Sequence, residues 1–517
     1  MRIRAESAEG SFRPGPALVR LASFFLLLAV SQFPSTGAEK PFNKVEVEAQ
    51  RVEYDAASQT FFARSDEQGK VEVRADGLVL TSQTLSLSTD KSGSELRELT
   101  AAGGVEMEAT LKTEPSGTVK STAQSLTYSP ASGTLSAAGH VEAQLHPPSA
   151  FGGLEAVSAQ QVDFQRQGEV ATATGNAMVK MIRPASRGAG DVRLVAKGHQ
   201  LRYDSQEARI EGSAGPSAQW VEIQYDDSAT GRKIESRSKS AVLTQRGEEG
   251  IELGNGELTG TEASGETFWV RGDKIEYSQV SGNAQASGKV EAKLNPSPEA
   301  SGRAALLSAA ADSITYAKEQ GRLDLSGNAS AQMQDKAQPE RKETIRRADK
   351  VTVELAGREA AASGGVEMAF SFPRKEQKAL ELTLKGDSVV FKSEPGEFTA
   401  EGRPTSVEGE NFDLRSPQLK GNLADDGSLE GLSALGGIQF TGKTGAQRLE
   451  AKAEEAVYSP SGQTITARGN VSGIMSPPSG GEPSRTLENA DEVVFHLDTG
   501  NVDVSGEKVK MVFPLPQ

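Results

Sequence analysis

The chain has 517 residues, no cysteine, and a formal charge of −15 from 56 basic and 71 acidic side chains. Without cysteine it has no disulfide, no thiolate metal site, no cysteine nucleophile and no lipid-anchored cysteine. The acidic balance, with no basic block longer than a few residues, argues against a nucleic-acid backbone or a broad anionic headgroup surface as partner.

The N-terminus reads as an export signal. Arg2, Arg4, Arg13 and Arg20 precede an apolar run from Leu21 to Val30, and Thr36, Gly37 and Ala38 offer small residues for cleavage. The run is shorter than the ~20 residues a membrane-spanning helix needs. Residues 1–38 are therefore expected to be a signal peptide, with a short uncleaved inner-membrane anchor as the alternative. Export to the periplasm is the expected location, and residues 39–517 are expected to form one tandem array.

That array carries a fixed-spacing signature: a small residue, an aromatic five positions on, then after eleven more a glycine followed by a small or polar residue and an aliphatic. Ala123, Tyr128, Gly139 and Val141 make one copy. Ala159/Phe164/Gly175/Ala177, Gly272/Tyr277/Gly288/Val290, Ala311/Tyr316/Gly327/Ala329 and Ala453/Tyr458/Gly469/Val471 repeat it without insertion. Gly386/Phe391/Gly402 and Ala490/Phe495/Gly506 keep its first three positions. With looser copies between them, these make about thirteen units of about 37 residues, the mark of a repeat architecture.

Within a unit, apolar and polar residues alternate with the period of a half-buried strand. Leu126 and Tyr128 share a parity, as do Ile275 and Tyr277. After a turn, Leu135/Ala137 or Ile465/Ala467 starts a second strand, and the recurrent glycine then supplies a turn or bulge. A third strand follows, and each unit closes in a variable loop rich in proline, glycine and charge, as at 146–153 and 295–302. The expected fold is all-β, an elongated open jellyroll or solenoid of units with three to four short strands each. One unit buries about four side chains, roughly 6–12 kcal/mol gross, less than the cost of ordering about 37 residues. Stability must come from stacking.

The third strand holds the candidate functional residues, in an inward column of the form aliphatic, small, large. Val105 and Met107, Val141 and Leu145, Val179 and Met181, Val290 and Leu294, Met333, Val366 with Met368 and Phe370, and Met475 occupy it. Methionine fills irregular gaps in a core, but it also suits a trough for mobile chains because it is flexible and polarizable. An acidic residue follows the small residue that opens many units, as at Asp273, Asp312, Asp349 and Glu454. Bracketing oxygen ligands of a calcium site are missing, so turn formation and solubility explain the row better than a metal. The four histidines, His140, His146, His199 and His496, share no metal-ligand spacing. No nucleophile elbow, phosphate-binding loop or zinc-protease motif occurs. No catalytic residue, metal or cofactor is expected.

The pattern in Ala311 to Ala329 (ADSITYAKEQGRLDLSGNA) and Ala453 to Val471 (AEEAVYSPSGQTITARGNV) resembles the repeat of the OstA/LptA family. The resemblance extends over roughly residues 45–513. It implies a twisted β-jellyroll around an apolar groove that carries lipopolysaccharide or a similar glycolipid between inner and outer membrane, acyl chains inside and sugars outside. It also implies partners of the same fold in the inner- and outer-membrane machinery, met by strand addition, and end-to-end self-association. The chain is far longer than a typical LptA and lacks the C-terminal barrel of an LptD. A secreted structural or adhesive β-solenoid with a closed core is the alternative reading of the same pattern.

Overall fold

A computed structural model describes residues 46–512, apart from short segments at 67–68, 76–77, 92–95, 112–116, 130, 149–152, 166–169, 185–189, 205–206, 217–219, 246–248, 296, 298–304, 336–340, 356–358, 375–376, 393–395, 425, 445–446 and 478–484. The expected signal peptide and much of the variable loops lie outside the described residues. The described regular structure is β-strand with a 3-10 turn at Lys318–Gln320. No described helix is long and apolar enough to cross a membrane.

The chain divides into two compact units, one of residues 1–263 and 278–280, the other of 264–277 and 281–517. In the first, strands pair antiparallel in chain order: Leu96–Leu111 with Gly117–Ser129, then Thr134–His146, Leu154–Gln165, Val170–Pro184 and Asp191–Asp204. The next position is filled by two short strands, Arg209–Ser213 and Val221–Asp227, which both pair with Asp191–Asp204 on one side and Arg232–Thr244 on the other. The second unit repeats the pattern from Thr267–Ser278, through Ala284–Asn295 and Ala305–Ala317, to Arg485–His496.

The all-β expectation holds, but the anatomy of a unit is different from the one the sequence suggests. Each period of about 37 residues is one hairpin of two long strands rather than three or four short ones. Residues Leu135 to Leu145, expected as a second and a third strand, lie on the single 13-residue strand Thr134–His146. The return strand, such as Leu154–Gln165, begins where the expected loop at 146–153 ends and runs on through the aromatic position at Phe164. The ladder continues through the glycine because only its register shifts there, between Thr122 and Ser125 on the partner strand.

At that shift the backbone passes through two successive left-handed residues. Gly139 and His140 have φ of 81° and 51°, Gly175 and Asn176 80° and 51°, Gly327 and Asn328 74° and 48°, and Gly469 and Asn470 78° and 47°. Glycine suits the first position and asparagine or glycine the second, since other L-residues are strained at positive φ. His140 therefore occupies a bulge. The acidic column is explained at the same place. A Cβ on Gly327 would lie 2.8 Å from Asp312 Cβ, and one on Gly364 2.5 Å from Asp349 Cβ. The acid lies against the bare glycine, and Asn328 Nδ2 donates to Asp312 Oδ2 at 3.0 Å.

The bulge also folds the strand over. In Thr267–Ser278, Phe268 and Tyr277 lie on opposite sides of the bulge at Gly272/Asp273, yet their ring centroids are 5.6 Å apart. Each long strand thus contributes one half to each of two facing layers. Phe370 stacks on Phe398 at 4.7 Å although the strand Gln377–Lys392 separates theirs, and Phe412 meets Tyr458 at 4.4 Å across Leu429–Lys443. The core of each unit lies between these layers.

Candidate functional site

The inward column lies on the halves of the strands beyond the bulge. Val105 and Met107 sit on Leu96–Leu111, Val141 and Leu145 on Thr134–His146, and Val179 and Met181 on Val170–Pro184, all in the first unit. Val290 and Leu294, Met333, then Val366, Met368 and Phe370, and Met475 stand on alternate strands of the second. All are buried except Met333, which is half-buried. The structure brings the members of each unit onto the same inner face and keeps the two sets in their separate units.

Half of this wall escaped the sequence reading. Between the named strands run the return strands, whose inward residues Val119, Leu194, Leu307, Leu382, Leu414 and Leu449 are equally buried, and Phe440 on the glycine-bearing strand Leu429–Lys443 extends the named column. Their signal was present as alternation, for instance in Ala379 to Leu384 (ALELTL), but no fixed aromatic or glycine marks it. The opposite wall is the set Leu126, Tyr128, Leu135, Ile275, Tyr277, Ile314 and their equivalents.

Along the margin away from the bulges the two layers are joined by side chains. Arg183, at the end of its strand, donates from both Nη1 and Nη2 to the carboxylate of Glu249, at 2.9 and 2.6 Å, although 66 residues separate them. Gln245 Nε2 donates to Met181 Sδ at 3.2 Å on the same margin. Arg232 bridges Glu262 and the carbonyl of Gln279. In the second unit Tyr316 Oη donates to Glu266 at 3.2 Å and Gln447 Nε2 reaches the carbonyl of Gly500. This seam is closed by hydrogen bonds and ion pairs between side chains and turns.

Beside the first-unit seam, burial pushes the Tyr225 phenol up to about 12, and the neighbouring Asp227 carboxylate adds to the shift. The charges of Arg183 and Glu249 also act on this phenol, in opposite directions.

The interior of the second unit contains a cleft at the seam, bounded by Phe268, Trp269, Lys293 and Leu294 on one side and Tyr277, Ile314 and Tyr316 on the other. Its walls are almost wholly apolar, and it holds about 50 Å³ of free space. A cavity that holds benzene is ~150 Å³, so the layers are nearly closed here. Among the described residues no group of three His, Asp or Glu is placed to hold a metal ion.

These features define an all-β protein of folded-over antiparallel strands with an apolar interior in each unit. No protein-family model and no curated protein matches the sequence. Among solved structures the chain is similar to LptH from Pseudomonas aeruginosa, described as the LptA-homologous periplasmic component of the conserved lipopolysaccharide transport device. The identity is 14%, over 34% of this chain and 85% of that one, with a TM-score of 0.19.

Proposed function

We propose that this is a non-enzymatic periplasmic protein that carries lipopolysaccharide or a similar glycolipid in the apolar interior of its folded sheet. One observation carries the reading: among the described residues the strands pass from one layer to the other at the bulges, and side-chain contacts close the opposite seam. Breaking such contacts parts the layers without breaking a strand ladder. Acyl chains would then lie against the inward column from Val105 to Met475, with sugars outside. The resemblance of the repeats to the OstA/LptA pattern and the export-type N-terminus support the assignment.

Partners of the same fold would add strands at the terminal edges. Exposed apolar residues at both ends support this: Val52, Tyr54 and Phe61 on the first strands, Met511 and Val512 on the last described one. A second reading, a structural β-solenoid with a closed core, is favoured by the small free volume and the burial of the column.

Photo-crosslinking in cells separates the two. A crosslinker at Met181, Leu294 or Phe370 is expected to label glycolipid, whereas one at the outward Glu142 or Lys180 is not. Equal labelling on both faces, or none at any inward site with the fold intact, rejects the conduit. Lys293 is unsuitable as an outward control, because although exposed it borders the cleft.

A further inference from the structure

We propose that the cleft at the second-unit seam is a lateral port that takes the single acyl chain of an anionic amphiphile, with Lys293 and Trp269 holding its headgroup. The inference rests on the reading of the interior as lipid-facing and adds a ligand class and a place of access.

Three features converge on this ligand. The floor is lined by small side chains, Ala286, Ala292 and Ala309 among them; Ala292 stands in the column position that Met368 fills in a later copy. The floor beneath the rim is therefore apolar and clear of large side chains, and with about 50 Å³ free a chain enters as the layers part. At the rim, Lys293 Nζ lies 5.4 Å from the Trp269 ring centroid. By strand parity this pair faces outward beside the inward Phe268 and Leu294, so it forms a lip near the strand ends, an indole with an ammonium over its face that is cationic toward water. In the strand register Lys293 stands between Trp269 and Ser308, with no carboxylate directly opposite. The nearest acids along the strands are Glu291, two residues away, and Glu266, which accepts the Tyr316 hydroxyl. A carboxylate headgroup thus meets a cation whose charge is not already neutralised across the strand.

Phe268 and Tyr316 are half-buried at the margin, and a Tyr316–Glu266 hydrogen bond spans the seam there. Rotation of Phe268 outward would admit a chain between Leu294 and Tyr277.

Trp269 supplies its own reporter. The chain has two tryptophans, Trp220 and Trp269, so Trp220→Phe in the full chain leaves one at the lip. Stearate brominated along its tail is expected to quench that fluorescence saturably. Ala309→Phe, which fills the floor, is expected to abolish quenching, and Ala292→Met to do so with less strain should the first variant fail to fold. Lys293→Glu should weaken the brominated stearate about fivefold, the range of an exposed charge pair, and leave an uncharged brominated monoacylglycerol unchanged. Absence of saturable quenching, or quenching that survives both filling variants with the β-sheet circular dichroism intact, overturns the port. Equal effects of Lys293→Glu on the charged and uncharged probes overturn the headgroup assignment. Glycolipid labelling from Met181 or Phe370 without stearate quenching leaves the conduit standing and removes the port; quenching without labelling does the reverse.

Discussion

Phe268 and Tyr277 are nine residues apart on one strand, and their ring centroids are 5.6 Å apart. A straight strand of that length would separate them by about 30 Å. The bulge at Gly272/Asp273 brings them together and makes one strand serve two layers. Everything proposed for the interior depends on this fold-over, because it creates an inside that no flat sheet of the same residues would have.

The bulge predicts a coupled pair. Gly327→Ala places a methyl group at positive φ and 2.8 Å from Asp312 Cβ, and is expected to cost about 1–3 kcal/mol. Asp312→Gly in the same chain removes that Cβ and should return the steric part while leaving the conformational part. Urea unfolding of the two single variants and the double variant measures the coupling; strict additivity would mean that the acid does not pack on the glycine.

The seam predicts a latch. Arg183→Met leaves Glu249, whose side chain is 13% exposed, as an uncompensated carboxylate, at a cost on the order of 3 kcal/mol. Arg183→Met with Glu249→Gln should recover most of the loss. Hydrogen exchange should accelerate at the strand end near Met181 before it does at the bulges. Uniform acceleration throughout the unit would show that the pair supports the whole fold rather than the seam.

The column distinguishes a groove from a core. Met181→Asp or Phe370→Asp in a permanently closed core buries an unpaired carboxylate and should unfold the local stack, at several kcal/mol. A seam that opens lets the new carboxylate reach water, so the fold should survive while lipid occupancy falls. Circular dichroism together with mass spectrometry of lipid retained after detergent-free purification reads both outcomes.

Tyr225 predicts an alkaline limit for the first unit. Its folded-state value of about 12 lies above the ordinary 10, so its contribution is fully present below pH 10. Between pH 10 and about 12 the unfolded chain ionises first, and up to about 2 kcal/mol is lost. Tyr225→Phe should remove this part of the alkaline slope and the highest-pH step in the phenolate absorbance. An unchanged titration would place the shifted phenol elsewhere.

Much of this was legible in the chain before any coordinates. Alternation at Leu126 and Tyr128, the recurring Gly-Asn pair and the even spacing of copies depend on local chemistry: a pleat exposes every second residue, and positive φ selects glycine and asparagine. Those features established an all-β repeat and the parity of the column from Val105 to Met475. Only the tertiary structure decided that Leu135 and Leu145 share one strand, that Asp312 packs on Gly327, and that Leu307 and Phe440 belong to the same interior. It also decided that Arg183 reaches Glu249. Each of these depends on how far the chain bends at a bulge and which distant turn then meets the strand end, and residues 66 positions apart leave no periodic trace of their contact. Local patterning specifies which face is apolar; packing of one half-strand against another determines what that face encloses and how its margin is closed.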